Sequence, residues 1–465
     1  MTYSKWKKRS LFPVFLSLSI ICLCPRSTKA QDAHYWTHQY GTRATLLGGA
    51  VVGSVLDLSG TYYNPGVLSL IEDPDTFIAA KVFQYPRITL EDFGKKDNNL
   101  NTSTVGPAPT LVAGRLKFKG LGKHWLGYSL LTRQEVNFDL AGSFSTQLDL
   151  SPVPGLEALV GDVRLDEKLT ESWVGLTWAY KVKKNIGIGV TQYLMVRSHR
   201  ANFQLLAETL NSSGEIALAM GARKYSYQNW RLLWKLGAAF DFERVTLGIT
   251  LTTPSLKLYG TGSTGMNTTG VGWNLGDGAK GDFLAADYQE GLNASFKTPI
   301  SLALGSTLKL KNVRLYGTVE WFSPMGKYEV ITGEDFTAQS TGQKLSNKIT
   351  HELESVLNFG AGIEYIFSPR LRTYGSFTSD FSARNPGTDT NLTVSDWDIF
   401  HLMAGADFGI KKAAFTLGLG YAFGGRKAGA AVEKSLLKAE GELLRLLTGL
   451  DYRYSSFKLV LGFSF

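Results

Sequence analysis

Three stretches of this 465-residue chain carry residue types and spacings that could do chemistry. Residues Gly260 to Gly265 (GTGSTG) match the G-x-G-x-x-G pattern that cradles a pyrophosphate, but Asn267 and Gly270 follow where a phosphate-binding helix would have to start. The stretch is expected to be a flexible loop. His34 and His38 stand four apart, the spacing of two metal ligands on a helix, yet no third ligand accompanies them so close to the start of the chain. His351-Glu352 lacks the second histidine of a zinc-protease motif, and no G-x-S-x-G elbow occurs. A barrel hydrolase would draw Ser, His and an acid from separate strands, so the motif search leaves that case open. The expectation is a protein with no cofactor, no metal and no enzymatic role.

The elements that would have to position such residues are strands. At the end of the chain Phe457, Leu459, Leu461, Phe463 and Phe465 fall on alternate positions, with Lys458, Gly462 and Ser464 between them and Val460 alone apolar on the second face. Strands of this kind are expected at 75–92, 108–119, 123–140, 169–182, 185–200, 224–242, 244–259, 288–310, 313–323, 351–367, 370–381, 395–409, 412–424 and 451–465. Tight turns at Gly120–Gly122, Lys183-Lys184, Glu243, Lys311-Asn312, Ser368-Pro369 and Ile410-Lys411 alternate with connections of about 13 to 28 residues. That asymmetry predicts an all-β, 14-stranded antiparallel transmembrane β-barrel, and strict alternation argues against a Greek-key sandwich. Apolar sets such as Trp230, Leu232, Trp234, Leu236 and Phe240 face lipid. The polar sets Arg231 and Lys235, Arg314, Glu364 and Arg372 face the lumen, because a charge on the lipid face costs about 2–4 kcal/mol near the midplane.

Composition supports an envelope protein. Residues 1–30 hold six basic and no acidic residues, an apolar run from Leu11 to Leu23, and Thr28-Lys29-Ala30 before Gln31, which together read as a cleaved signal peptide. Without them the formal charge of +9 falls to +3, with 43 basic residues against 40 acidic ones, so no nucleic-acid partner is implied. Both cysteines, Cys22 and Cys24, lie in the leader behind the bulky Ile21 and Leu23, where a lipoprotein signal wants small residues. A mature chain without cysteine makes no disulfide.

Residues 31–72 are the one part of the mature chain that does not read as strand and turn. They carry Gly48, Gly49 and Ala50, the acidic Asp57, then Tyr62, Tyr63, Asn64, Pro65 and Gly66, and the Asn-Pro-Gly run predicts a defined bend. This order resembles the N-terminal hatch of the FadL/TodX family of outer-membrane transporters for long-chain fatty acids and hydrocarbons. Gly66 stands where the family usually has Ala, and Leu58 where a second acidic residue is common. Weaker likeness continues at Lys297-Thr298-Pro299 and Trp321. The resemblance implies a hatch (31–72) plugging a barrel (73–465) in the outer membrane of a Gram-negative bacterium. It also implies import of a hydrophobic, fatty acid-like small molecule by capture on apolar outer loops and passage past the hatch.

Loop content fits that expectation. Phe203, Leu206 and Leu210 fall at helical spacing in the loop Ala201–Arg223, followed by Ile216, Leu218 and Met220, and Val432 to Leu447 suggest another amphipathic helix within Lys427–Leu450. Outer loops of this kind would capture an apolar ligand, and the family's groove favours Ala201–Arg223 and the glycine-rich Gly260–Phe283. Outer-membrane lipid and the barrel-assembly machinery are the expected partners of a monomer. The alternative is a general diffusion porin or a structural surface barrel.

Overall fold

The computed structural model describes residues 33–465 apart from 55–56, 72–76, 92–98, 104–105, 119, 149–156, 211–213, 215, 273–281, 385–390, 393–396, 411–412 and 427–450. The leader and the helix expected within Lys427–Leu450 lie outside the described residues. Seventeen antiparallel segments form one sheet and occupy fourteen positions around a closed barrel. These are β1 (Phe77–Leu90), β2 (Leu100–Ser103 and Gly106–Arg115), β3 (His124–Leu148), β4 (Glu157–Lys183), β5 (Ile186–Leu210), β6 (Ile216–Asp241) and β7 (Val245–Thr252 and Leu256–Val271). They continue as β8 (Phe283–Asn293 and Ser301–Lys309), β9 (Val313–Phe322), β10 (Val356–Ser368), β11 (Leu371–Asp380), β12 (Asp398–Ile410), β13 (Ala413–Arg426) and β14 (Tyr452–Ser464). Closure is made by β1 and β14, in register from Ile78↔Ser464 to Leu90↔Tyr452, so the first and last strands satisfy each other's edges.

The two-residue period sets the facing as expected. Trp230, Leu236, Leu315, Val319, Phe359, Leu419 and Phe457 are exposed on the outer wall, while Arg231, Lys235, Glu364 and Val460 are buried inside. On β4 the outward apolar run Val174, Leu176, Trp178 and Tyr180 gives way above Ser172 to Lys168, Asp166, Arg164 and Asp162, so the strand leaves the lipid there. Strands β3 to β6 nevertheless continue, and β5 runs from Ser198 to Leu210, roughly 40 Å of strand path at about 3.3 Å per residue.

That extension corrects two expectations. The helix over Ala201–Arg223 is absent: β5 and β6 stay paired from Ala201↔Tyr225 to Leu210↔Ile216, and β5 pairs with β4 up to Ala158↔Leu210. Partners on both sides satisfy every ladder bond, which outweighs the local three-to-four spacing of Phe203, Leu206 and Leu210. The segment Gly260–Gly265 is likewise strand, paired with β6 from Asn229↔Gly260 to Lys224↔Gly265. A Cβ at Gly260 would lie 3.0 Å from the Ala294 carbonyl carbon, so this glycine serves close packing.

The outer mouth is covered from within. Between β9 and β10, Met325–Ile331 pairs with Ile349–Leu353, and Asp335–Thr337 with Lys344–Ser346 at the tip. Val330, Ile331, Ile349 and Leu353 join Tyr225, Tyr227, Phe322 and the N-terminal Tyr35 in one buried cluster. Arg223 donates to the Lys348 carbonyl at 2.8 Å and Thr264 to Asn347 Oδ1 at 2.9 Å, tying this inward loop to β6 and β7.

Candidate functional site

The hatch is a compact strap with two short helices, Thr42–Leu46 and Gly60–Tyr63, and a 3-10 turn at Pro65–Ser69. Asp57 joins its two halves by accepting from Thr42 Oγ1 at 3.1 Å, Arg43 N at 3.3 Å and Ser59 N at 2.9 Å. Tyr63 Oη accepts from Tyr40 N at 2.9 Å, and Tyr62 stands edge-on to Tyr63 with centroids 5.1 Å apart. Burial holds these phenols neutral, pushing Tyr40 up to about 12 and Tyr62 well above the ordinary value.

Asn64 fixes the bend. Its Nδ2 donates to the Val52 carbonyl at 2.9 Å and the Ala238 carbonyl at 3.0 Å, while Oδ1 accepts from Gly66 N at 3.0 Å. All three partners are backbone groups, one of them the Ala238 carbonyl of the barrel wall. They are within reach because the wall behind it is glycine: a Cβ on Gly237 would lie 2.7 Å from Pro65 Cδ, one on Gly189 2.6 Å from the Pro65 carbonyl carbon, and one on Gly248 2.7 Å from Asn64 Nδ2. Registers Gly189↔Gly237 and Gly248↔Gly305 place these glycines on adjacent strands, as a seat for the Asn-Pro-Gly corner. Wall hydroxyls complete the attachment, with Thr250 bonded to the Tyr63 carbonyl at 2.8 Å and Thr191 to that of Thr61 at 2.7 Å.

From the hatch the chain's start rises toward the mouth. Asp380 accepts from Tyr35 N at 3.0 Å, Trp36 N at 2.8 Å and Thr37 Oγ1 at 2.9 Å, and Trp36 Nε1 donates to Glu320 at 2.7 Å. His34 and His38 are therefore buried, and among the described residues no cluster of three ligating side chains includes them. Burial, reinforced by Lys458 and Arg133, lowers the His38 pKa to about 3.

Above the tyrosines lies a buried charged cluster. Glu171 receives Arg197 at 2.9 Å, Arg231 at 2.7 Å and Trp173 Nε1 at 2.6 Å. Both arginines also face the Phe296 ring, with Cζ 3.8 and 5.0 Å from its centroid. Phe296 reaches them because β7 and β8 break at the same height, β7 after Thr252 and β8 between Asn293 and Ser301, where Thr298 N bonds Ser255 and Thr298 Oγ1 accepts from Arg231 at 2.8 Å. Lys235 points at the Tyr62 ring, 4.3 Å from its centroid.

Near the outer end, Leu90, Leu140, Phe144, Leu159, Val163, Leu205 and Ala207 make an apolar inner lining, with Phe203 packed against it. A weakness in the wall lies between this lining and the hatch. Strand β3 pairs with β2 only from Leu111↔Leu131 to Arg115↔Gly127, whereas its ladder with β4 runs on to Leu148↔Glu157 past a bulge at Thr132/Gln134. Beyond Leu111, β2 keeps its pairing to β1, at Lys81↔Pro109 and Phe83↔Pro107, but has no partner on its β3 side, and these two prolines have no N–H to donate.

The residues singled out from sequence thus separate. Asp57 and Tyr62 to Gly66 lie together in the N-terminal strap. Arg314 and Arg372 meet at Glu364, at 3.4 and 3.7 Å, and Arg231 meets Glu171. Phe203 faces inward, whereas Leu206, Leu210, Ile216, Leu218 and Met220 lie on the outward face of the β5–β6 extension. Sequence reasoning missed Glu171, Arg197, Arg133 and Asp380; the inward parity of β4 and β5 would have identified the first two.

No protein-family model matches the sequence, and no curated protein matches it. Solved structures do. A FadL homologue from Pseudomonas aeruginosa covers 93% of this chain and 99% of its own at 13% identity and a TM-score of 0.56. The Pseudomonas putida toluene transporter TodX covers 92% and 98% at 14% identity and 0.56, and the Ralstonia pickettii toluene transporter TbuX 92% and 98% at 13% and 0.55. Likeness at such identities is one of fold, and the fold of this chain is the FadL-type barrel.

Proposed function

We propose that the chain imports hydrophobic small molecules across a Gram-negative outer membrane, to which the leader at 1–30 and the barrel-assembly machinery deliver it as a monomer. The carrying observation is a fourteen-strand barrel whose lumen is closed by its own N-terminal strap, seated on a glycine wall. An aqueous diffusion pore gains nothing from such a plug. The fold likeness to toluene transporters and a FadL homologue supports the same reading. Apolar ligand enters along the inner lining near Phe203, moves past the cluster of Glu171, Arg197 and Arg231, and leaves when the hatch shifts or through the unpaired stretch between β2 and β3. No step needs a catalytic group.

The test pairs planar-bilayer conductance with uptake of radiolabelled laurate and toluene into proteoliposomes. Wild type should be nearly silent to ions yet import a hydrophobic probe. Asn64→Ala, which removes two donors from the bend, should leak ions and import less while migrating as a folded barrel. Steady wild-type conductance without probe uptake would favour the diffusion porin.

A further inference from the structure

We infer that the periplasmic rim of the barrel is a binding surface for anionic phospholipid headgroups of the inner leaflet. The turns at this end carry an exposed cation beside an exposed, lipid-level apolar residue: Phe118 beside Lys117, Val182 beside Lys183 and Lys184, Phe242 near Arg244, Leu310 beside Lys311, and Phe367 near Arg370. Glu243 is the one exposed acid among the described residues of these turns. None of these cations forms an ion pair among the described residues; the rim pair Lys309 with Asp241 sits one step inside.

Depth selects the occupant. Each cation follows or precedes its lipid-facing neighbour by one to three residues, within about 10 Å of strand or turn. That places ammonium and guanidinium groups where phosphates begin, with side-chain stems able to lie along the apolar boundary. A soluble acidic partner would need the charge to project beyond the membrane surface, and these turns are too short for that. The other end of the wall differs: the outward face of β4 above the lipid alternates Asp162, Arg164, Asp166 and Lys168. The rim of six exposed cations, with Glu243 as its one exposed acid among the described residues, thus lies at the leaflet that consists of phospholipid, in contrast to the mixed-sign outer face of β4.

The full-length protein reconstituted into nanodiscs of phosphatidylethanolamine with one-fifth phosphatidylglycerol provides the test, with retained lipid counted by native mass spectrometry after detergent release. Wild type should hold phosphatidylglycerol about tenfold over its share in the disc, and moderate salt should reduce that preference. The variant Lys183→Gln, Lys184→Gln, Arg244→Gln, Lys311→Gln should retain lipid at the disc ratio, while the charge-preserving Lys183→Arg, Lys184→Arg, Lys311→Arg chain keeps the enrichment. Heat-modifiable migration verifies that each is folded. Equal enrichment in wild type and the Gln variant overturns the inference. So does a Gln variant that loses binding of fluorescent polyglutamate but keeps lipid enrichment, which would assign the ring to a soluble acidic partner.

Discussion

Below Tyr62 the lumen is closed by backbone against backbone, with glycines at Gly189, Gly237 and Gly248 letting the Asn64 to Gly66 corner touch the wall. Above Tyr62 it is crossed by charge, where Glu171 holds two arginines and an inward loop covers the mouth. The lower closure depends on shape, because the glycine wall leaves no room for a Cβ against the corner. The upper one depends on compensation of charge and fails if a partner is removed. One barrel thus uses two kinds of plug, and they should break under different changes.

The largest effect is expected at the glycine seat. Gly237→Val would put a branched side chain where Cβ alone already lies 2.7 Å from Pro65 Cδ, so the corner must leave the wall. Lasting conductance steps should appear in planar bilayers with barrel migration unchanged. Gly375→Ala is the control, because its Cβ meets its nearest neighbour, Ile363 Cγ2, at an ordinary 3.7 Å. Equal silence in both variants would mean that the seat does not close the pore.

Next comes the charged cluster. Glu171→Ala leaves Arg197 and Arg231 buried without their shared acceptor, which should lower stability by about 3 kcal/mol in guanidinium unfolding followed by tryptophan fluorescence. Adding Arg231→Met should recover part of the loss, since the uncompensated charge is the main penalty. If Glu171→Ala alone opened the pore as widely as Gly237→Val, the division between the two plugs would be wrong.

A smaller effect is expected from acid. His38 titrates at about 3 in the folded hatch against about 6.5 when free, so the unfolded or undocked strap binds the extra proton as pH falls. The hatch-docking free energy from this group is complete above pH 6.5 and declines between 6.5 and 3, by about 1.4 kcal/mol per pH unit at most. Protease nicking of residues near Tyr40 should rise through that window in wild type and stay flat in His38→Gln. A flat wild-type profile would mean that the strap is held independently of His38.

The barrel was legible because its strands alternate: strand number, turns and facing all follow from a two-residue period and from keeping charge off lipid. The bend at Asn64-Pro65-Gly66 was legible from residue types. The long outer extension was not, since Phe203, Leu206 and Leu210 satisfy a helical spacing and a strand equally well until a partner strand decides. Nor was the glycine seat, because Gly189, Gly237, Gly248 and Gly305 are far apart in sequence and meet only through the β5–β6 and β7–β8 registers. The break that delivers Phe296 left a trace in Pro254 and Pro299, one on each of the neighbouring strands.

The two faces of the outer extension give the finest comparison. Phe203 packs against the inner lining of Leu140, Val163 and Leu205, whereas Leu206, three residues on, points outward. Phe203→Asp puts a charge on the apolar path and should reduce laurate and toluene uptake several-fold at low ligand concentration, because an apolar guest cannot compensate it. Leu206→Asp leaves the charge in water and should change both uptake and stability little, within about 0.5 kcal/mol in unfolding. If Leu206→Asp impaired uptake as strongly as Phe203→Asp, ligand would be gathered on the outer face of the extension, and the inner lining would be packing alone.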